Sequence, residues 1–339
     1  MTKTSLMLGT ALSLGLALPA GAETLNLYTW ADSISPDLIQ KFEKDTGITV
    51  NVSSYTSNED ALTKLQSGAS GYDLVTPSQH FVKIMIDQGL LEDIDAADMP
   101  AFSNLEDKWK HQWWDPKNDY SIPVAYGTAG FAVNRTLYKG PVDSWKVLFE
   151  PGADLKGKIG MMGSPDEVVS AAEIYLGVPF CTEDKAEMKK VYDLLKAQKP
   201  AVATYSSDNI SNSLAGGEVA AHFWWDGEEL KARTEGAPVE YAMPKEGLVG
   251  WLDSFVVPKG AEHVAAAKKF IDFMSTTENA TEQANFYSHA SPMKIDPAKA
   301  KYTPQNAPEI FPSVPVKFAQ ACSPAAQDLV TKVWTDLLQ

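Results

Sequence analysis

The stretch from residue 25 to residue 52 constrains the fold most, because it contains a strand, a helix and a second strand in that order. Residues 25–30 alternate apolar and polar side chains, as a half-buried strand does. Ser35 and the proline after it are typical of a helix start, where a hydroxyl caps the backbone and proline needs no N–H donor. Gly47 is suited to end that helix in a left-handed conformation, and residues 48–52 have the apolar content of a strand. This order predicts a parallel sheet flanked by helices.

The same alternation of strands and helices continues along the chain. Further strands are predicted at 73–77, 131–133, 159–162, 219–225 and 252–257, and a second α/β set is predicted to begin after 122–127. Further helices are predicted from Asn58, as the capping residue, through Leu65, around 81–89, and at 164–176, 183–196 and 264–274. No flexible linker or fixed-period repeat separates two halves. The pattern therefore predicts two α/β lobes joined by crossing strands, and such folds bind ligands at the carboxyl ends of their strands.

Residues 1–22 have the features of a secretory signal peptide. Lys3 gives a positive start, residues 6–18 form an apolar stretch, and Ala20-Gly-Ala22 supplies the small side chains that signal peptidase requires. The apolar stretch is too short for a membrane anchor, and no later run reaches the roughly 18 apolar residues of a membrane span. We therefore expect export, cleavage near Ala22 and a mature protein that is not anchored.

The net charge of the chain narrows the classes of partner that it could bind. The chain carries 29 Lys and Arg against 44 Asp and Glu, a net charge of −15. Phosphate recognition needs a basic surface, so no nucleic-acid partner is expected, whereas a cationic small ligand is compatible with this charge.

In an oxidising compartment Cys181 and Cys322 are most simply interpreted as one disulfide, the alternative being two separate buried thiols. Neither they nor the five histidines have a zinc spacing, and no metal or cofactor is expected.

No sequence motif predicts catalysis. The chain lacks the nucleophile elbow G-x-S-x-G, the phosphate loop ending in Gly-Lys-Ser/Thr, a dinucleotide fingerprint after its first strand, and His-Glu-x-x-His. Paired carboxylates could hydrolyse a glycoside while tryptophans stack on the sugar rings, which keeps a glycan-acting hydrolase as an alternative. Nothing marks one carboxylate as an acid in an apolar pocket, so we expect a binding protein and not an enzyme.

Three tryptophans stand one to three residues before a carboxylate at a predicted strand end. The sets are Trp30 with Asp32, Trp225 with Asp226 and Glu228, and Trp251 with Asp253. An ammonium group is attracted to an indole face by cation–π interaction, and a carboxylate adds a charge-assisted hydrogen bond. Any single tryptophan is more often a core residue. The threefold repetition at strand ends nevertheless favours an organic cation as the ligand.

The segment Ser164-Pro-Asp-Glu167 has two interpretations. It matches a capping box, in which Ser164 and Glu167 each bond to a backbone N–H at a helix start. The same helix start opens towards the predicted cleft, where Glu167 could attract a cation instead. Because a helix N-terminus itself favours anions, any such attraction would come from the Glu167 carboxylate.

Seven segments together carry a resemblance to a known family. They are Leu27-Tyr-Thr-Trp30-Ala-Asp32, Phe42-Glu-Lys-Asp-Thr-Gly47-Ile-Thr-Val50, Tyr72-Asp-Leu-Val-Thr-Pro-Ser78, Asn118-Asp-Tyr-Ser-Ile-Pro123, Ser207-Asp-Asn209, Pro244-Lys-Glu-Gly247 and Trp251-Leu-Asp253-Ser254. The sequence resembles the periplasmic polyamine-binding proteins of ABC transporters, of the spermidine/putrescine type. The resemblance is collinear over essentially the whole mature chain.

The resemblance implies a fold and a role. The expected fold is the two-lobed, type II periplasmic-binding-protein-like α/β fold, in which each lobe is a mixed sheet flanked by helices and the ligand cleft lies between them. The expected role is to capture putrescine or spermidine by lobe closure and to deliver it to an inner-membrane ABC permease. We expect a periplasmic monomer with one lobe at 23–127 plus 254–300 and the other at 128–253 plus 301–339.

The resemblance also implies ligand-binding residues. These are Trp30, Trp225 and Trp251 as aromatic walls, Asp253 and Glu167 as the acids that hold amines, Asp32 and Glu228 as further acids, and Ser78 and Gln320 as polar contacts. Four positions depart from the family pattern: Ser33 and His289 in place of tyrosines, Ser164 in place of an acid, and His80 near an often aromatic position. These departures leave open another small amino compound, γ-aminobutyrate-like or choline-like, as the ligand.

Overall fold

The structure, a computed structural model, describes residues 23–68 and 71–339. The predicted signal peptide, residues 1–22, lies outside the described residues. Within the described part of the chain, no helix has both the length and the apolar character that crossing a membrane requires.

In these residues the strands form one ten-stranded sheet. The strands are β1 (Thr24–Trp30), β2 (Thr49–Tyr55), β3 (Leu74–Val75), β4 (Ser121–Asn134), β5 (Ile159–Met161), β6 (Val202–Tyr205), β7 (Ala221–Trp225), β8 (Val239–Tyr241), β9 (Leu248–Val256) and β10 (Val316–Phe318). Their order is β2-β1-β3-β9-β4-β7-β5-β6, with β10 beside β9 and β8 beside β4. Parallel pairs occupy both ends of the sheet, and the long antiparallel strands β4 and β9 join them.

The α-helices alternate with these strands. They are α1 (Pro36–Thr46), α2 (Asn58–Gln66), α3 (Gln79–Asp87), α4 (Pro100–Asn104), α5 (Lys146–Phe149), α6 (Pro165–Leu176), α7 (Lys185–Gln198), α8 (Ile210–Ala215), α9 (Asp226–Thr234), α10 (Val264–Met274), α11 (Thr277–Tyr287) and α12 (Pro324–Leu338). The helix predicted at 264–274 has the predicted limits.

Helix α1 confirms the β-α-β unit predicted at the start of the mature chain. Its capping residue Ser35 accepts a hydrogen bond from the backbone N–H of Leu38 at 3.4 Å. Gly47 ends the helix with φ of 74°, a left-handed conformation that glycine adopts without a steric penalty. Leu38 and Phe42 are buried on the inner face, where the Phe42 ring meets Phe270 edge-on with centroids 5.0 Å apart. Local signals are therefore sufficient to place this helix.

Strand β4 differs from the sequence-based expectation. The pattern predicts a short strand at 131–133, and its length is wrong, because one strand of 14 residues also covers 122–127. Gly127 stays within the strand because the Trp251 side chain opposite it, on β9, needs the space. A Cβ added at Gly127 would lie 2.6 Å from Cζ2 of Trp251. As a result, β4 runs uninterrupted from one half of the molecule to the other.

Two buried clusters form the cores of the two lobes. The first lobe's core draws on β1, α1, β2, α3 and α10, and the second lobe's core on β5, α6, α7, β7 and α12. Strand β4 passes from the first core at Ile122 to the second at Ala129, and β9 returns from Val249 to Leu252. The two strands therefore cross between the lobes near their midpoints. The domain limits predicted from the sequence stay a prediction.

Cys181 and Cys322 form a disulfide, which confirms the pairing favoured from the sequence over two separate thiols. The bond joins the loop before α7 to the segment before α12, across 141 residues of chain. In the chain-entropy model, closing a loop of this length stabilises the folded state by roughly 4–5 kcal/mol. The disulfide therefore links the segment that precedes α12 covalently to the loop before α7 in the second lobe.

Candidate functional site

Asp253 lies on β9 between the two lobes and is 5% exposed. Its Oδ1 accepts a hydrogen bond of 2.7 Å from the hydroxyl of Ser78, which follows β3. Asn58 holds Ser78 in turn, since its Oδ1 accepts from the Ser78 backbone N–H at 2.9 Å and its Nδ2 donates to Ser78 Oγ at 3.1 Å. This chain of contacts gives the Asp253 carboxyl a fixed position.

The expectation that Asn58 caps α2 is wrong. Ser57 is the capping residue, and its hydroxyl accepts a hydrogen bond from the backbone N–H of Asp60 at 3.1 Å. The Asn58 amide is instead engaged with Ser78, which lies 20 positions further along the chain. A contact over that separation leaves no mark on the local sequence, so Asn58 is a site residue that sequence reasoning missed.

A small enclosed cavity of about 10 Å³ adjoins Asp253. Its walls include the rings of Trp30 and Tyr287 and the hydroxyls of Thr29, Ser33 and Thr76. A volume of that size holds about one water molecule. Apart from Asp253 on β9, the residues that line this cavity belong to the first lobe, so it is a small pocket of that lobe beside Asp253.

The hydroxyl groups in this wall form a connected chain. Thr29 Oγ1 lies 2.8 Å from Ser33 Oγ and 2.5 Å from Thr76 Oγ1, and Ser33 Oγ donates to the carbonyl of Trp30 at 2.8 Å. Ser33, one of the departures from the family pattern, is 6% exposed. At this position the wall next to Trp30 therefore presents a hydroxyl in place of an aromatic ring.

Two carboxyl groups of the cleft have strongly raised pKa values. The pKa of Asp253 is raised to about 7, mainly by burial and to a smaller extent by the negative charge of Glu167, against the opposing effects of the Ser78 hydrogen bond and of His289. Burial also raises the pKa of Glu167 to about 7, against hydrogen bonds from Trp225 and Ser164. Each group is thus a desolvated acid with too few positive partners. A cation placed between them would restore their ordinary ionisation.

Glu167 lies in the first turn of α6 and reaches across to β7. The indole Nε1 of Trp225 donates a hydrogen bond of 2.8 Å to Glu167 Oε1. The capping-box interpretation is wrong, because the side chain of Ser164, the residue before the helix, makes no capping hydrogen bond. The Glu167 side chain accepts instead from the Trp225 indole N–H, at the end of the neighbouring strand, and from the Ser164 side chain.

Trp30 and Trp251 are held by aromatic packing. Their indole Nε1 atoms are buried and have no hydrogen-bond partner among the described residues. The Trp30 ring meets Tyr55 edge-on with centroids 4.6 Å apart, and the Trp251 ring meets His289 edge-on at 4.8 Å. Buried N–H groups are normally bonded, so both indoles keep an unused donor in the region of the cleft.

The remaining predicted site residues lie in less enclosed positions. Glu228, in the first turn of α9, is half-buried, and its charge helps to raise the pKa of Tyr287, which lines the cavity. Asp32 is exposed in the turn after β1 and has φ of 53°. Gln320 is exposed beside the disulfide. The structure thus groups Trp30, Ser78 and Asp253 in one contact set and Glu167 and Trp225 in another, while Asp32 and Gln320 stand apart.

Sequence reasoning also missed one fully buried polar residue next to a predicted one. Gln79 follows Ser78, accepts a hydrogen bond from the Leu252 N–H at 2.8 Å and donates to the Ala319 carbonyl at 2.9 Å. Its only sequence signal is that it adjoins a predicted ligand residue. Asp226, which the sequence analysis names beside Trp225, is completely buried.

His80 lies where the first lobe meets α6 of the second. Its Nδ1 is buried and has no partner among the described residues. Burial lowers the pKa of His80 to about 4, and the negative charge of Asp166 on α6 opposes that shift. Neutral His80 therefore adds an aromatic ring and not a positive charge to this side of the cleft.

The combined chemistry of the cleft suits an organic cation. Carboxyl groups, indole rings and hydroxyls meet at the ends of strands from both lobes. Within residues 23–68 and 71–339, no group of three or more His, Cys, Asp or Glu side chains is arranged to hold a metal ion. Buried carboxyls gain from an ammonium partner, and indole faces gain from the alkyl chain that carries it.

Comparison with known proteins agrees with this chemistry. Residues 37–311 match a family described as bacterial extracellular solute-binding protein. The spermidine/putrescine-binding periplasmic protein 1 of Haemophilus influenzae is 36% identical over 261 residues, which cover 76% of this chain and 72% of that protein. The putrescine-binding periplasmic protein SpuD of Pseudomonas aeruginosa is 32% identical over 344 residues, which cover 95% and 94% of the two chains.

A solved structure is similar over almost the whole molecule. The TpPotD lipoprotein of Treponema pallidum superposes with a TM-score of 0.83 at 28% identity, covering 93% of this chain and 99% of that one. The similarity confirms the expected fold class, the two-lobed type II periplasmic-binding-protein-like fold with mixed sheets flanked by helices.

Proposed function

The chain belongs to the bacterial extracellular solute-binding proteins, and we propose that it captures a polyamine, putrescine or spermidine, for an ABC transporter. Capture occurs when the lobes close on the ligand, and the loaded protein delivers it to an inner-membrane permease. This family consists of solute-binding proteins and not of enzymes.

One observation carries the proposal: two desolvated carboxyls in one cleft, the buried Asp253 and the half-buried Glu167, each with a pKa raised to about 7. Asp253 comes from a strand shared by the lobes and Glu167 from a helix of the second lobe. A linear diamine has two ammonium groups that can each replace a proton at one of these acids. The binding free energy offsets the cost of removing the ammonium groups from water.

The ligand residues that we propose fall into four groups. The indoles of Trp30, Trp225 and Trp251 contact the alkyl chain, Asp253 and Glu167 pair with the amines, and Ser78 fixes Asp253. Asp32, Glu228 and Gln320 complete the set at less enclosed positions. The names of the relatives, which specify spermidine and putrescine, support the ligand class.

The compartment and the assembly are also part of the proposal. The relatives are named as periplasmic proteins, and we place the mature chain, beginning after Ala22, in the periplasm. It acts there as a monomer, since one chain supplies both walls of the cleft.

Thermal unfolding of the mature protein with putrescine, spermidine, γ-aminobutyrate, choline and a neutral disaccharide tests the function. A ligand at 100 times its Kd stabilises the folded state by about 2.7 kcal/mol, which raises the Tm measurably. We expect a rise with putrescine or spermidine alone. A rise only with γ-aminobutyrate or choline would replace the polyamine by another amino compound, and turnover of a chromogenic glycoside would instead support the hydrolase.

A further inference from the structure

Asp226 and His289 form a buried pair between the lobes. Asp226 is 0% exposed and His289 is 4% exposed. The His289 Nδ1–H donates to Asp226 Oδ1 at 3.0 Å, and the backbone N–H of Gly227 donates to the same oxygen at 2.8 Å. Oδ2 accepts from the backbone N–H of Thr128 at 2.8 Å and from its hydroxyl at 3.1 Å. Both carboxylate oxygens are therefore saturated, and the group has no capacity left for a ligand amine.

The pair joins three parts of the fold that meet behind the cleft. Thr128 lies on the crossing strand β4, Asp226 begins α9 of the second lobe, and His289 follows α11, which packs on the first lobe. The residue after His289, Ala290, accepts a backbone hydrogen bond from Tyr126 on β4 at 3.0 Å. Asp226 and His289 thus lie at the hinge side of the cleft.

The Trp251 indole is enclosed by this pair and by β4. The His289 ring meets it edge-on with centroids 4.8 Å apart. On β4, a Cβ added at Gly127 would lie 2.6 Å from Trp251 Cζ2 and 2.7 Å from Asp226 Oδ1. A Cβ at Gly227 would lie 2.3 Å from Cε1 of His289. Both glycines therefore leave the space that the pair and the indole occupy.

We propose that Asp226 and His289 are positioning residues, which hold the Trp251 indole at the angle that makes it a wall of the ligand cleft. The unpartnered Trp251 Nε1 supports this role, because the indole N–H makes no hydrogen bond to any described residue that could fix the ring. The effect on affinity rests on the proposed function, whereas the effect on the indole itself does not.

The chain contains a matched pair for control. Asp73, 2% exposed, accepts from the backbone N–H of His263 at 2.9 Å, from His263 Nδ1 at 3.1 Å, and from the backbone and side chain of Asn26 at 2.9 and 3.2 Å. It precedes β3, whereas Ser78 of the cleft follows that strand. Breaking this pair removes the same type of hydrogen bond in the first lobe, at the opposite end of β3 from the site.

The test is a double-mutant cycle of His289→Phe with Trp251→Phe. His289→Phe keeps a ring beside Trp251 and removes the donor to Asp226. We expect the Kd for putrescine or spermidine, measured by calorimetry, to rise about tenfold, and to change by less than about twofold in the Trp251→Phe background. His263→Phe should lower the free energy of unfolding and leave the Kd unchanged. Equal effects of His289→Phe in both backgrounds, or none in either, would overturn the proposal.

A second measurement keeps the proposal testable without a ligand. The chain has nine tryptophans, so the emission of Trp251 is obtained as the difference between the protein and its Trp251→Phe variant. His289→Phe should make that emission more accessible to acrylamide, whereas His289→Asn, whose amide can replace Nδ1–H, should change it less. If His289→Phe does not fold, His289→Asn and Asp226→Asn carry the same comparison. Unchanged quenching in every folded variant would refute positioning, while failure of all amines to bind would refute only the proposed function.

Discussion

Asp226 and Asp253 are both buried between the lobes, yet their surroundings differ in one decisive respect. Asp226 accepts four hydrogen bonds, from Thr128, Gly227 and His289. Asp253 accepts one among the contacts of the described residues, from Ser78, and burial raises its pKa to about 7. A saturated carboxylate contributes to the folded structure, whereas an undersaturated one has free capacity for a ligand. Hydrogen-bond saturation, and not burial, thus separates Asp226 from Asp253, the acid that we propose for the ligand.

The largest expected effect tests the contribution of Asp226 to the stability of the folded protein. Asp226→Leu leaves buried donors on Thr128, Gly227 and His289 without an acceptor, so we expect the free energy of unfolding to fall by about 3–5 kcal/mol. Urea unfolding of the ligand-free protein measures it. Asp143→Asn, at an exposed position, is the control and should change stability by less than about 0.5 kcal/mol. A loss no larger than the control's would show that saturation has no structural value here.

Asp253→Asn tests the proposed pairing of Asp253 with an ammonium group of the ligand. The ligand ammonium loses its charge partner, so the Kd for the polyamine should rise more than tenfold, a change of over about 1.4 kcal/mol. Ligand-free stability at pH about 8 should stay the same or rise, because the variant no longer buries an undersaturated negative charge. Calorimetric titration and urea unfolding of the same sample give both values. A large loss of stability with unchanged affinity would reverse the roles assigned to Asp253 and Asp226.

The pH dependence sharpens the comparison further. In the ligand-free protein the pKa values of Asp253 and Glu167 are raised to about 7, above the ordinary range of about 4 in an unfolded chain. Their contribution to stability is therefore complete below pH about 4 and is lost as the pH rises towards 7.

Polyamine binding has the opposite dependence on pH, because the ammonium groups favour the ionised carboxyls. Affinity should fall at least about tenfold between pH about 7 and about 5, with release of protons to the buffer. Calorimetry in buffers of different ionisation enthalpy counts those protons, and Asp253→Asn should release fewer. An affinity independent of pH would mean that the ligand does not replace protons on these acids.

Trp225→Phe should give the smallest effect. It keeps an aromatic wall and removes the indole N–H that donates to Glu167 at 2.8 Å. A lost hydrogen bond to a partly buried acid predicts a few-fold rise in Kd and a change in unfolding free energy of about 1 kcal/mol. Trp334→Phe, in α12, serves as the control for loss of an indole elsewhere. An effect as large as that of Asp253→Asn would move the centre of the site to Glu167.

The sequence predicts those parts of the molecule whose causes are local. Ser35 and Gly47 mark the limits of α1 through contacts within the helix and its ends. The two cysteines allow only one intramolecular pairing. The neighbours Trp251 and Asp253 lie on one strand, β9, near the predicted strand end, and their role in ligand binding stays a prediction.

Contacts over long separations account for what the sequence does not predict. Gly127 lies within β4 opposite Trp251, 124 positions later, whose side chain needs the space that a Cβ would take. The sequence around Asn58 predicts a helix cap, but in the structure its side-chain amide makes hydrogen bonds with Ser78. Asp226 and His289 are 63 positions apart, and no local pattern relates them. The identity of each group is written in the sequence, but whether its hydrogen bonds are satisfied depends on the tertiary fold.

The two crossing strands have a consequence for the synthesis of the protein. The first lobe's core needs β9 and α10 in addition to the N-terminal elements, and the second lobe's core needs α12, which ends at Leu338. Neither core is complete until most of the chain has left the ribosome, and the long-range pairing of β4 with β9 folds slowly. The nascent chain therefore remains without a finished core during translation, as the export that we propose for it requires.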